Sequence, residues 1–159
     1  VIYPGQVAPD FEIQCYDGSI FRLSEHTGQV ILLHFWQWDS TKNLVAVHDL
    51  ISVYKDHPSF VQLGLVAGPQ EKVQPIIEAE NLFWKQASCT RYQHTSGSIY
   101  SDPQFAWFND NYGNPHRIGW CLIGPDGRVI ATADMNDSSL AGEVSKALRT
   151  LEKSSIYDR

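Results

Sequence analysis

Three cysteines, Cys15, Cys89 and Cys121, and six histidines are the groups in this chain that could carry nucleophilic, redox or metal chemistry. The cysteines are odd in number and widely spaced, which fits neither a disulfide framework nor a zinc motif. Cys121 lies in an apolar strand pattern and reads as a small core hydrophobe. Cys15 falls on a hairpin. Cys89 stands in a polar stretch and is the one cysteine expected to be exposed and reactive. Asp39-Ser40-Thr41 adds polar groups where an apolar run gives way to a helical pattern. Asp39 or Ser40 reads there as a helix cap. Ser40 as a nucleophile would need a base within reach, and no His–Asp pairing can be placed from sequence. His34, inside the apolar run, reads as a satisfied core histidine. His94 and His116 fall in loops where a hard metal site could assemble, but the spacing requires none, so no metal or cofactor is expected.

The element that must position these groups is Val30-Ile31-Leu32-Leu33-His34-Phe35-Trp36, followed by Gln37-Trp38-Asp39-Ser40-Thr41-Lys42-Asn43. The unbroken apolar run predicts a strand buried on both faces. Leu44, Val47, Leu50, Ile51 and Tyr54 then fall on one helical face. A buried strand feeding a helix delivers backbone N–H groups and a positive dipole end to one edge of a sheet, where α/β sites are built.

Around this unit the chain alternates short strands and helices. Phe11–Cys15 and Ile20–Leu23, joined at Asp17-Gly18, predict a hairpin after an extended lead-in. Phe60–Ala67 predicts a second strand parallel to the first. A second helix carries Val73, Ile76 and Ile77, with Pro69 suited to its first turn and Pro75 within it, which predicts a kink or a later start. Phe83–Gln86 reads as a short extended piece, and Ala87–Ser101 as a long polar loop. Asp102-Pro103 caps a third helix bearing Phe105, Phe108 and Tyr112 and stopped at Gly113. Gly119–Ile123 and Arg128–Thr132 form a second hairpin. Asp137-Ser138 caps a last helix with Leu140, Val144, Ala147, Leu148 and Leu151 inward.

Gly28–Trp36 resembles the strand of the TlpA/ResA-like branch of the thioredoxin-like superfamily, worded G-K-V-V-L-L-N-F-W-A-T-W-C-x-x-C. The Pro4–Phe11 phrase is similar to the G-x-x-A-P-D-F entry shared with peroxiredoxins (AhpC/TSA type), and Gly119–Thr132 resembles the family's T-F-L-I-D-x-D-G-x-I. The resemblance covers nearly the whole chain. It implies a thioredoxin-like α/β fold: a mixed central β-sheet flanked by helices, with an N-terminal β-hairpin. Laid without gaps, the two family cysteines fall on Ser40 and Asn43; shifted by one residue, on Asp39 and Lys42. Neither register supplies a thiol. Thioredoxin-type exchange needs a thiolate at the helix N-terminus and a resolving cysteine three residues on. The family's cis-proline position falls on Ile118, where a trans bond is expected because cis costs a non-proline residue about 3 kcal/mol. Pro115 lies three residues earlier, in Asn114-Pro115-His116-Arg117, which reads as an insertion or a rebuilt loop. The peroxiredoxin arrangement keeps Thr41 but lacks the cysteine, and the related copper-chaperone arrangement lacks its thiolates.

Trp36 reads as core packing. Trp38 and Trp120 read equally as core or edge packing or as partly exposed, ligand-facing groups. The expected function is a redox-inactive binding or interaction module. Its groove would be formed by Trp38, Asp39, Ser40, Asn43, Ile118 and Trp120 and would receive a peptide, protein or small ligand. The alternative is a thiol oxidoreductase or peroxidase working through Cys89.

The bulk numbers fit one domain over residues 1–159, with 43% hydrophobic and 19% charged residues giving an ordinary globular composition. A formal charge of −6 with scattered basic residues argues against nucleic acid or an anionic membrane as partner. No apolar run approaches the ~20 residues of a membrane span. The chain starts at Val1 with no visible signal peptide, which reads as a trimmed N-terminus. The resemblance implies a cell-envelope or periplasmic address.

Overall fold

The computed structural model describes residues 2–39, 42–91, 99–134 and 139–157. Strands β1 (Glu12–Gln14) and β2 (Ile20–Arg22) pair antiparallel in the register Glu12↔Arg22, Ile13↔Phe21, Gln14↔Ile20. Gly18 between them takes φ of +87°, the left-handed region a tight turn needs and glycine tolerates. The remaining strands are β3 (Val30–Gln37), β4 (Phe60–Ala67), β5 (Lys85–Ser88), β6 (Ile118–Ile123) and β7 (Val129–Asp134). They form one five-stranded sheet in the order β5-β4-β3-β6-β7. β3, β4 and β5 run parallel, while β6 and β7 are antiparallel to their neighbours.

β3 is central, and its residues are buried from Val30 to Trp36. Strand alternation sends Ile31, Leu33 and Phe35 to one face and Val30, Leu32 and Trp36 to the other. The first face packs against the β1–β2 hairpin and α3 (Pro103–Asn111) through Phe21, Phe105, Phe108 and Tyr112. The second is covered by α1 (Lys42–Ser52), α2 (Gln70–Ala79) and α4 (Leu140–Tyr157) through Leu44, Ile51, Val73, Val144 and Leu148. Placing α1 and α2 on one face follows from the right-handed crossovers that join three parallel strands stepping in one direction.

Local chemistry explains the boundaries. Asp102 caps α3, accepting from Gln104 N at 2.9 Å and Phe105 N at 3.1 Å, and Gly113 with φ of +127° follows its end. Pro69 is the N-cap of α2 rather than a residue of its first turn, and Pro75 is accommodated inside the helix. The chain expected to be loop from Ala87 instead continues as β5 through Ser88. Ala87 pairs with Leu65 on one side and Cys15 on the other. The capping expected at Asp137-Ser138 lies outside the described residues.

Candidate functional site

β3 and β4 end side by side, Gln37 opposite Ala67, and α1 starts at Lys42. This rim is the sheet edge toward which the first buried strand delivers its helix. Trp38 leaves β3 with 37% of its surface exposed. Its indole lies against the backbone of Gly68, so closely that a Cβ there would overlap the ring. Lys72, in the first turn of α2, holds its ammonium 5.7 Å from the Trp38 ring centroid. Trp38 is therefore clamped between a glycine and a cation, with one edge open to solvent.

The loop between α3 and β6 completes the rim. Gln37 Nε2 donates to the backbone carbonyl of His116 at 3.2 Å, and His116 N donates to Asn114 Oδ1 at 2.9 Å. The His116 ring packs edge-on against Phe105 (5.1 Å) and Tyr100 (5.9 Å), and Tyr100 is 57% exposed. Partial burial pulls the His116 pKa below its ordinary value, while the Asp39 carboxylate pulls the other way. The Asp39 carboxylate thus acts on the His116 ring across the rim.

Of the residues expected to form a groove, Trp38 and Asp39 are at this rim. Ser40 lies outside the described residues, and Asn43 is placed only as part of α1. Trp120 is a correction: it is 3% exposed and packs under the helices with Trp36 and Leu122. Ile118 is separated from it, packing toward the opposite face of the sheet. Residues two apart on a strand normally share a face, but the β6–β7 pairing jumps from Ile118↔Asp134 to Trp120↔Ala133. That irregularity, at Gly119, turns Ile118 over. Every described peptide bond is trans, Ile118 included.

Cys89 is a second correction. It is fully buried, and its N–H donates to Val66 O at 2.9 Å, fixing it beside the end of β4. Burial drives its thiol pKa far up, and the Asp102 carboxylate adds to the effect. Burial also raises Cys121 to about 12, and raises Cys15 against a hydrogen bond from Ser19. His34 is buried as expected but its Nδ1 has no hydrogen-bond partner, so the ring is not satisfied. His94 lies outside the described residues. Sequence reasoning missed Gln37, Lys72 and Tyr100, and weighed His116 only as a metal ligand; Trp38 next to a Gly-Pro after the neighbouring strand is the one signal that was present.

No protein-family model matches this chain, and no curated protein matches it. Solved structures do. A suggested protein disulfide isomerase from Bacteroides thetaiotaomicron superposes with a TM-score of 0.71 at 20% identity, over 94% of this chain and 92% of that one. The thioredoxin domain of a thiol-disulfide oxidoreductase from Bacteroides vulgatus gives 0.66 at 19% identity, over 92% and 98%. A thioredoxin-family thiol:disulfide interchange protein from Chlorobium tepidum gives 0.65 at 17% identity, over 93% and 99%. At these identities the likeness establishes the fold, which is thioredoxin-like.

Proposed function

We propose that this thioredoxin-fold chain does not exchange disulfides and serves as a binding module, holding an extended peptide or small ligand at the rim of Trp38, Asp39 and His116. The observation that carries the reading is the position of the thiols. All three cysteines are buried in the sheet core, and none lies among Gln37, Trp38 and Asp39 where β3 ends. A nucleophilic cysteine must be a thiolate and must be reached by its partner disulfide. With a pKa of about 12, Cys121 is ionised in only about one molecule in 10⁴ at pH 8.

What the rim offers instead is a half-exposed indole backed by an ammonium, a carboxylate, and an aromatic wall from Tyr100 and His116. Exposed aromatics with a few placed polar groups suit recognition of a ligand that brings its own backbone or ring. The test is a thiol titration with DTNB combined with insulin reduction. The native protein is expected to show no fast-reacting thiol and no turnover of insulin, with three thiols appearing on denaturation. A fast native thiol, or insulin turnover removed by Cys89→Ser, would overturn the reading. The binding arm is a screen of thiol-free peptides, in which Trp38→Ala is expected to abolish any affinity found; unchanged affinity would remove the rim from the proposal.

A further inference from the structure

Away from the rim, the outer edge of the sheet at β7 is only partly covered. The N-terminal lead-in covers its start: Val129 N donates to Gln6 O at 2.8 Å, Gly5 N donates to Val129 O at 2.8 Å, and Val7 pairs with Arg128. The cover stops there. Gln6 N turns back to Tyr3 O at 3.1 Å, and Ile2 is buried in the core. The β6–β7 pairing leaves Ile130 as an extra residue between Ile123↔Val129 and Leu122↔Ala131, then runs on through Cys121↔Thr132 and Trp120↔Ala133. Among the described residues, no strand pairs with Ala131, Thr132 or Ala133 on their other side. In an antiparallel pair every second residue turns its N–H and C=O away from its neighbour, so this segment presents backbone donors and acceptors outward. It carries neither a charge nor a proline, the usual guards of a free edge.

Each face of the sheet has a cleft beside that edge. On the face covered by α4, a cleft of about 620 Å³ opens between β7 and the helix, with Pro125, Ile130 and Leu151 in its walls. On the opposite face, a cleft of about 320 Å³ runs beside Thr132 and Ala133, against Gly113 and Ile118. Ala131 packs toward the first face, and Thr132, opposite buried Cys121, turns toward the second. A strand added at the edge alternates its side chains in the same way. It can therefore send one side chain into each cleft while its backbone bonds the edge.

Charge selects the occupant. Asp126, Glu143 and Lys146 stand at the larger cleft, and among the described residues none of the three is in an ion pair. Two carboxylates against one ammonium leave this cleft net negative, like the chain as a whole at −6. Apolar walls flanked by carboxylates suit a long aliphatic stem with a cationic tip. The smaller cleft has one charge of each sign at its lip, Arg117 and Asp134, so it selects by apolar contact. A second copy of β7 would bring only Ala131, Thr132 and Ala133 here, side chains too small to fill either cleft. We propose that the β7 edge receives an extended basic peptide as an added strand. An Arg or Lys of the peptide enters the cleft beside α4 toward Asp126 and Glu143, and the apolar residue next to it enters the cleft beside Ile118.

The experiment is a titration of the ¹⁵N-labelled chain with the peptide acetyl-Thr-Arg-Leu-Arg-Thr-amide. Saturable amide shifts at Ala131, Thr132 and Ala133 are expected, with slowed hydrogen exchange at those whose N–H faces outward. A peptide with Glu in place of both Arg is expected to bind at least about 10-fold more weakly. Glu143→Gln is expected to weaken binding of the basic peptide about 3-fold, as a half-exposed ion pair allows. Trp38→Ala should leave it unchanged, which separates this surface from the rim. Absence of saturable shifts at the edge overturns the proposal, and so does equal affinity for the Glu peptide. Shifts centred on Trp38 and Asp39 place the peptide at the rim and overturn it too. A dimer in sedimentation whose Ala131–Ala133 amides are protected without peptide assigns the edge to a second copy, which also overturns it.

Discussion

His34 and Trp120 face each other across the β3–β6 pair, and both keep a buried ring nitrogen without a partner. Each such group costs about 1–3 kcal/mol. For His34 the cost is pH-dependent. Burial lowers its pKa to about 4, against an ordinary 6.5, so the folded protein keeps the ring neutral while the unfolded chain protonates it. Between pH 6.5 and 4 the unfolded state binds the extra proton, and stability falls as pH falls through that window. The shift amounts to about 3 kcal/mol when the window is fully crossed. Above pH 6.5 both states are neutral and the contribution is constant. Urea unfolding of the native chain and of His34→Leu between pH 7 and pH 4.5 separates the His34 contribution from that of the carboxylates. The variant should lose distinctly less stability over that range, whatever its absolute stability at pH 7. Parallel pH profiles would mean that His34 takes up its proton equally in the folded and unfolded chain, and would overturn the burial argument.

Among the described helix starts, that of α3 is held by a side-chain cap. Asp102 is 1% exposed and accepts from Gln104 N, Phe105 N and also Arg91 N at 2.9 Å, so it joins the start of the helix to the chain leaving β5. Asp102→Ala removes the cap and the tie together and is expected to cost about 2–4 kcal/mol, with Asp102→Asn costing less because an acceptor remains. A shift of the urea midpoint at unchanged m-value reads this out. Asp102-Pro103 was legible in the sequence because capping is local chemistry, and β3 was legible because burial on both faces leaves an unbroken apolar run. The failures were tertiary. Cys89 looked like a loop residue because β5 is short and mostly polar in composition, yet pairing to β4 and to Cys15–Tyr16 buries it. Trp120 was assigned to the rim by counting along a strand, and no local pattern announces that the pairing slips at Gly119. The Trp38–Gly68–Lys72 stack joins residues from three elements and has no sequence period at all.

At the scale of the whole molecule, the proposed function separates scaffold from chemistry. The sheet order, crossovers and helix placement reproduce the thioredoxin-like arrangement, but a fold hosts function only through its site. That proposal can be tested by supplying a cysteine pair. Ser40→Cys with Asn43→Cys places thiols in the gap-free family register, ahead of and within the start of α1 at Lys42. A helix N-terminus lowers the pKa of a thiol there, and a spacing of three residues lets the pair close. The double variant should therefore gain two thiols that react quickly with DTNB in the native state, and should form one reversible disulfide by intact mass. Insulin reduction should stay far below that of a natural oxidoreductase, because the sequence resemblance places Ile118, in a trans bond, at the family's proline position and the neighbouring loop carries His116 into the rim. If the added thiols remain unreactive until denaturation, the register is the shifted one, and Asp39→Cys with Lys42→Cys becomes the variant that must react. If instead the double variant reduces insulin efficiently, a cysteine pair alone suffices for exchange on this scaffold, and the loop carrying His116 does not block it.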